Sequence, residues 1–117
     1  MSQHAGLDAG RWAGFDIDQQ LLMIANEMNR ASRFVGTDRV EEVRRGYERV
    51  LRLTDLTVAC AGRWALRREL LRWRDLIAEL FVAERPDAAA HRAALRSLLQ
   101  LRPVAAKQIP LLWGGPR

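Results

Sequence analysis

Apolar and small residues recur at alternating spacings of three and four along the middle of the chain. The spacing holds over six intervals without a slip, through Val40, Val43, Tyr47, Val50, Thr54, Thr57 and Ala61. Since residues three and four apart lie on one face of an α-helix, this pattern predicts one long amphipathic helix with a continuous buried face. The two threonines of this face are expected to donate to the carbonyls four residues earlier. No segment shows the sustained period-two alternation of a β-strand, so we expect no sheet.

Another long helix is predicted before this one. It begins at Asp16, whose carboxylate can form a capping box with Gln19, and it ends at Gly36, a residue suited to the left-handed conformation. Thr37 or Asp38 is expected to cap the long helix, because a glutamate three residues after Asp38 could complete a second capping box.

Two further helices are predicted in the C-terminal half. Gly62 marks a break, after which apolar periodicity predicts a third helix from about residue 63 to residue 82. Pro86 forbids its continuation, and Asp87 is expected to cap a fourth helix that extends to Pro103. The fold class we predict is therefore all-α, an antiparallel up-and-down four-helix bundle of three long helices and one shorter helix.

The length and composition of the chain fit a single globular domain. With 117 residues, 49% of them hydrophobic, it can bury a core. We expect the bundle over residues 16–103, a flexible N-terminal arm over residues 1–15 anchored by Trp12 and Phe15, and a C-terminal strap over residues 104–117. No apolar run approaches the roughly 20 residues that span a bilayer, and no secretory signal is evident, so the predicted location is cytoplasmic.

Some apolar residues remain after each helix has assigned one face to the core. They form one strip on the second helix and one on the third, where the spacing is seven residues. Their members are Leu53, Leu56 and Cys60 on the second helix and Trp64, Leu71 and Ala78 on the third. A second apolar face on a small bundle needs cover. Either the arm and the strap supply it, or a partner does, and a two-fold homodimer is the commonest such assembly.

The basic residues are concentrated in the C-terminal half. Residues 63–117 carry eleven basic and five acidic side chains, whereas residues 1–62 carry eight and nine. Arg63, Arg67 and Arg74 lie along one edge of the third helix beside Trp64. Such an edge can steer an acidic protein partner or contact nucleic-acid phosphates. A second, solvated face of this helix is expected to carry mixed charges, from Arg68, Arg72, Asp75 and Glu79.

No constellation of residues points to catalysis or to a cofactor. His4, His91 and Cys60 stand too far apart in the pattern to form a metal site, and no Glu is followed three residues later by His, as in di-iron bundles. No glycine-rich phosphate loop opens a helix. We therefore expect a protein that is not an enzyme and that binds no metal or cofactor.

One short motif, Arg85-Pro-Asp-Ala-Ala-Ala-His91, places five residues between an arginine and a histidine. This spacing resembles that of HEPN-type ribonucleases and toxins, which are small helical bundles with an Arg, four to six residues and a His. The resemblance implies that Arg85 and His91 would form an RNA-cleaving site across a dimer. The chain departs from the pattern at Pro86, where such families usually place a polar residue. Helical periodicity aligns His91 with the apolar stripe of the fourth helix and predicts a half-buried histidine at its edge.

Together these patterns favour a non-enzymatic helical bundle that acts through protein–protein contact, as a homodimer or as a small accessory subunit. The candidate interface residues are Trp64, Leu71, Leu53 and Leu56 as apolar anchors, with Arg63, Arg67 and Arg74 steering an acidic partner. The alternative hypothesis is a nucleic-acid-binding module that uses the arginine-rich C-terminal half. A HEPN-like ribonuclease is the third.

Overall fold

The computed structural model describes residues 9–101, which form α-helices joined by turns. Its five helices are α1 (Ala9–Trp12), α2 (Ile17–Ala31), α3 (Val40–Cys60), α4 (Trp64–Val82) and α5 (Ala88–Leu99). Helix α3 packs against α1, α2 and α4, and α5 packs against both α4 and α2. The all-helical fold class is thus confirmed. The predicted strap lies outside the described residues.

Two of the predicted helix starts are confirmed at the level of individual hydrogen bonds. The Asp16 carboxylate accepts from the Gln19 amide at 2.8 Å, and the Gln19 side chain accepts from the Asp16 amide at 3.0 Å, which completes the capping box. At α5, the Asp87 carboxylate accepts from the Ala90 amide at 2.8 Å. The break at Gly62 is also confirmed, since it separates α3 from α4.

The connection between α2 and α3 differs from its prediction. Helix α2 ends at Ala31, five residues before Gly36, where the Ser32 hydroxyl donates to a helix carbonyl and competes with the regular ladder. Gly36 does adopt the left-handed conformation, with φ +86°, but within the turn that follows. The expected cap by Thr37 or Asp38 is wrong. Arg39 occupies the N-cap position of α3, where no side chain forms a capping hydrogen bond; the Thr37 hydroxyl accepts instead from the Arg39 amide at 3.1 Å.

The buried face predicted for α3 is the centre of the core. Its five middle residues are buried, and its two ends, Val40 and Ala61, are partly exposed. The hydroxyls of Thr54 and Thr57 donate to the carbonyls of Val50 and Leu53 at 2.7 and 2.8 Å, which confirms the expected local bonds. These polar side chains are therefore tolerated in the core, because each buried hydroxyl has a partner.

The end of the predicted N-terminal arm packs onto the bundle over its described part, residues 9–15. Trp12 is fully buried, and its indole N–H donates to the Thr57 hydroxyl at 2.9 Å. The Gln20 side-chain amide donates to the carbonyls of Trp12 and Phe15 at 2.9 and 3.1 Å. The predicted anchor is thus a core residue, held by α2 and α3 together.

Candidate functional site

The most exposed apolar surface lies on one side of α4. Of the five large apolar side chains that the described residues expose, four belong to α4. Trp64, Leu71 and Val82 are 70%, 45% and 74% exposed, and with Ala78 they fall within about 40° of one another around the helix axis. We call Trp64, Leu71, Ala78 and Val82 the outer face of α4; the other exposed apolar residue of this helix, Leu76, lies on a different side. These four residues lie opposite Trp73, which is buried, so the outer face points away from the core side of α4.

Helix α4 is held firmly on its inner side. The Trp73 indole N–H donates to the Ala94 carbonyl of α5 at 2.7 Å. Toward α3, the Arg74 guanidinium makes a two-pronged contact with the Asp55 carboxylate, at 2.5 and 3.3 Å. This hydrogen bond and the charge of Asp55 raise the pKa of Arg74. Its charge is therefore compensated within the chain, and the prediction that Arg74 steers a partner is not supported.

The other predicted arginines surround the exposed tryptophan. Arg63 and Arg67 are exposed at the start of α4. Arg68, which was predicted only on a mixed solvated face, places its guanidinium 4.6 Å from the centre of the Trp64 ring. A cation–π contact of this kind is attractive, and the Trp64 side chain remains 70% exposed beside it.

A row of charged side chains flanks the outer face on one side. It consists of Arg68, Arg72, Asp75 and Glu79, all exposed, and we call it the charged edge. Arg72 contacts Glu69 at 3.2 Å, an exposed pair of the kind that contributes little. Within residues 9–101, Asp75 and Glu79 form no ion pair. The positive charges stand in the N-terminal half of α4 and the negative charges in the C-terminal half.

The apolar strip predicted on the second helix, which is α3, is not an exposed surface, and this part of the prediction is wrong. Leu53 is 0% exposed and belongs to the core, while Leu56 is partly buried and packs against it. The reason is that α3 contacts α1, α2 and α4, so more than one of its faces is covered. Leu53 therefore cannot anchor a partner in this fold. The outer face of α4 remains, and it includes Val82, which the seven-residue spacing alone did not identify.

His91 is buried, at 1% exposure, where a half-buried position was predicted. Its Nε2 lies 2.9 Å from the Met28 carbonyl, which can only accept, so Nε2 carries a proton. Nδ1 then accepts from the Tyr47 hydroxyl at 2.7 Å. Burial lowers the pKa of His91 and raises that of Tyr47. The histidine is thus neutral and links α2, α3 and α5.

This arrangement bears on the ribonuclease hypothesis. Arg85 is exposed in the turn before α5, but His91 is enclosed and bonded on both ring nitrogens. A general acid or base must reach its substrate directly or through one water molecule. The structure does not present His91 in that way, so the resemblance lacks one of its two residues at the surface.

A second buried ionisable group also serves packing. Glu27 is buried on α2, where it accepts from Arg49 of α3 at 2.9 Å and from Arg30 at 3.4 Å. The carboxylate is therefore paired across the α2–α3 contact, as a buried charge must be. No cluster of three His, Cys, Asp or Glu side chains suited to a metal ion occurs among residues 9–101.

Neither the membrane-span criterion nor comparison with known proteins indicates a function. None of the helices within residues 9–101 is both long and apolar enough to cross a bilayer. No protein-family model matches the sequence, and no match is found among curated proteins or among solved structures.

Proposed function

We propose that this protein is a binding protein that contacts another protein through the outer face of α4. The observation that carries the proposal is the concentration of exposed apolar side chains on this one helix, with Trp64 at its start. Binding energy at protein interfaces concentrates on Trp, Tyr and Arg. Here an exposed indole stacked on Arg68 supplies two of these residue types at one point.

The scaffold suits this role because α4 is fixed before any partner arrives. The bonds from Trp73 to α5 and from Arg74 to α3 hold the helix on both sides. A preformed surface loses little conformational entropy on binding, which favours affinity. We infer that α2–α5 form an antiparallel four-helix bundle, since consecutive helices pack together and their connections have eight, three and five residues.

The basic end of α4 would attract an acidic surface on the partner. Arg63, Arg67 and Arg68 surround Trp64, and charges around an apolar anchor raise the rate of association more than the final affinity. We further propose that the protein acts in the cytoplasm without catalysing a reaction. Its single cysteine fits a reducing compartment.

Site-specific photo-crosslinking in the producing cell tests this proposal. A benzophenone amino acid at Leu71 should give discrete covalent adducts with a protein, because this position lies in the middle of the outer face. The matched control is the same amino acid at Asn26, an exposed position on α2. Absence of adducts at position 71, or equal adducts at both positions, would refute a specific interface on α4.

Nucleic-acid binding is the second candidate, and one observation favours it. An exposed indole flanked by guanidinium groups resembles the stacking platforms that bind single-stranded nucleic acids. Against it, Asp75 and Glu79 share the same side of α4 and would repel phosphates. A labelled oligonucleotide distinguishes the two candidates: nucleic-acid binding predicts an affinity that falls steeply with salt and falls further on Trp64→Ala, whereas no binding at low salt would eliminate it.

A further inference from the structure

The charged edge of α4 is arranged unfavourably for an isolated helix. Arg68 and Arg72 stand four residues apart, as do Asp75 and Glu79, so the edge contains two like-charged pairs at helical contact distance and one pair of opposite charge, Arg72 and Asp75, three residues apart. Like charges at this spacing destabilise a helix, whereas alternation of the same four charges would stabilise it. The segregation therefore has a local cost with no compensating ion pair inside the described chain for either acidic residue.

The same segregation also opposes the helix dipole. Acidic residues near the start of a helix and basic residues near its end are stabilising. Helix α2 follows this rule at both ends, α3 has two acidic residues in its first turn, and α1 and α5 each have an arginine in the last turn. Helix α4 alone has no acidic residue in its first turn and no basic residue in its last. The order of charges along α4 therefore does not stabilise this helix itself, and a contact beyond the helix would be needed to make it favourable.

That order is self-complementary when two such helices run antiparallel. Around a two-fold axis level with Trp73 and Arg74, positions whose numbers add to 147 face each other. Arg68 then faces Glu79 of the partner subunit, and Arg72 faces the partner's Asp75, with the reciprocal pairs on the other side of the axis. At the ends of the outer face, Trp64 lies within one residue of the level of the partner's Val82. A two-fold axis brings the same side of each helix together. The charged edge of one copy therefore contacts the charged edge of the other.

We infer that the occupant of the outer face is a second copy of this chain, with α4 packed antiparallel against α4 of the partner. This inference rests on the proposed function and specifies its partner. A purely acidic partner would leave Asp75 and Glu79 against like charge, and a nucleic acid would do the same. A second copy matches both halves of the edge at once, and it buries Trp64, Leu71 and Val82 together.

A charge-exchange experiment on the full chain tests the inference by sedimentation at low salt. One variant, Arg68→Glu with Arg72→Glu, has an all-acidic edge; the other, Asp75→Arg with Glu79→Arg, has an all-basic edge. Each alone should self-associate at least about tenfold more weakly than the natural chain, because four exposed pairs change from attraction to repulsion. An equimolar mixture should dimerise again, and so should the variant that carries all four substitutions.

A matched control separates the position of the charges from their number. Arg33→Glu with Arg92→Glu changes the net charge equally at exposed sites outside α4 and should leave the dimer intact. Circular dichroism of each variant establishes that it is folded. A natural chain that stays monomeric, a dimer that the exchanges do not weaken, or a mixture that does not reassociate would each overturn the inference.

The orientation of the pair has its own test. In a Cys60→Ser background, Val82→Cys would place the two new thiols about 25 Å apart along an antiparallel pair, too far for a disulfide. Rapid disulfide formation at position 82 would therefore refute the antiparallel register. If the chain does not pair with itself, the crosslinking experiment still tests the proposed function. Adducts at position 71 with a mass other than twice the chain would show a different protein partner. The absence of any adduct would refute both the proposed function and the self-pairing.

Discussion

The bond between Tyr47 and His91 allows a quantitative prediction about how the core is held. Both side chains are fully buried, and the Tyr47 hydroxyl donates to Nδ1 at 2.7 Å. Tyr47→Phe removes the donor and leaves a buried nitrogen without a partner, at a cost of about 1–3 kcal/mol. His91→Leu removes the acceptor and leaves the hydroxyl unpaired, at a similar cost. The Met28 carbonyl loses less, because it still accepts from the Ser32 amide at 3.0 Å.

The double variant distinguishes this bond from simple packing. With both polar groups removed, neither is left unpaired, so the double variant should be destabilised by clearly less than the sum of the two single changes. We expect a coupling free energy of roughly 1–2 kcal/mol between the two sites. The free energies of unfolding would be measured by urea denaturation followed by circular dichroism, with the slope m compared among variants. Additivity within about 0.5 kcal/mol would refute the reasoning, since independent sites behave in that way.

Three further predictions concern stability. Burial lowers the pKa of His91, so the unfolded chain takes up a proton first as the pH falls below about 6.5. The unfolding free energy should decline there by at most about 1.4 kcal/mol per pH unit. His91→Leu should flatten this decline between pH 7 and pH 5 in the same urea assay. Asp16→Ala should cost about 1 kcal/mol because it removes a cap, whereas Asp38→Ala, which removes none, should stay within about 0.5 kcal/mol, as thermal melts would show. Trp12→Phe keeps an aromatic ring but leaves the Thr57 hydroxyl without the indole donor. It should therefore cost about 1–2 kcal/mol in urea denaturation, and an unchanged midpoint would contradict the docking of residues 9–15.

Much of the fold could be predicted because its signals are local. The periodicity that identified α3 needs only the spacing of its own residues, and the capping box at Asp16 needs only four consecutive positions. The breaks near Gly62 and Pro86 follow from local composition, because Gly is a poor helix former and Pro cannot continue a helix. These are the predictions that the structure confirms.

The errors concern contacts between segments that are distant in sequence. His91 is fully buried because Tyr47, on another helix, supplies its hydrogen bond, and no pattern within the fourth helix reveals this donor. Leu53 is covered because α3 has three neighbours, while a wheel of one helix assumes one. Trp12 belongs to a helix of four residues, which is too short to produce a periodic signal.

Close approach between helices was likewise not predictable. Gly46 is buried in the middle of α3, where a Cβ atom would lie 3.0 Å from the Cβ of Ala31. Two small residues therefore let α2 and α3 pack closely, and both occur in stretches whose periodicity looks ordinary. A glycine inside a helix costs roughly 1 kcal/mol relative to alanine, and only the position of the neighbouring helix explains its presence.

At the candidate site, the sequence pattern identified the apolar residues of α4 but not the importance of its charged residues. Spacing alone separated Trp64 and Leu71 from the core face of α4, and their exposure agrees with that separation. The charged edge, by contrast, looked like an ordinary solvated face until the structure established which side of α4 is outermost. Sequences generally satisfy local preferences, and the places where they break them tend to be functional. Arg68 and Arg72 at one end and Asp75 and Glu79 at the other break two such preferences on one helix. All four side chains are exposed, and the proposed pairing of α4 would account for an order that packing within the bundle does not require.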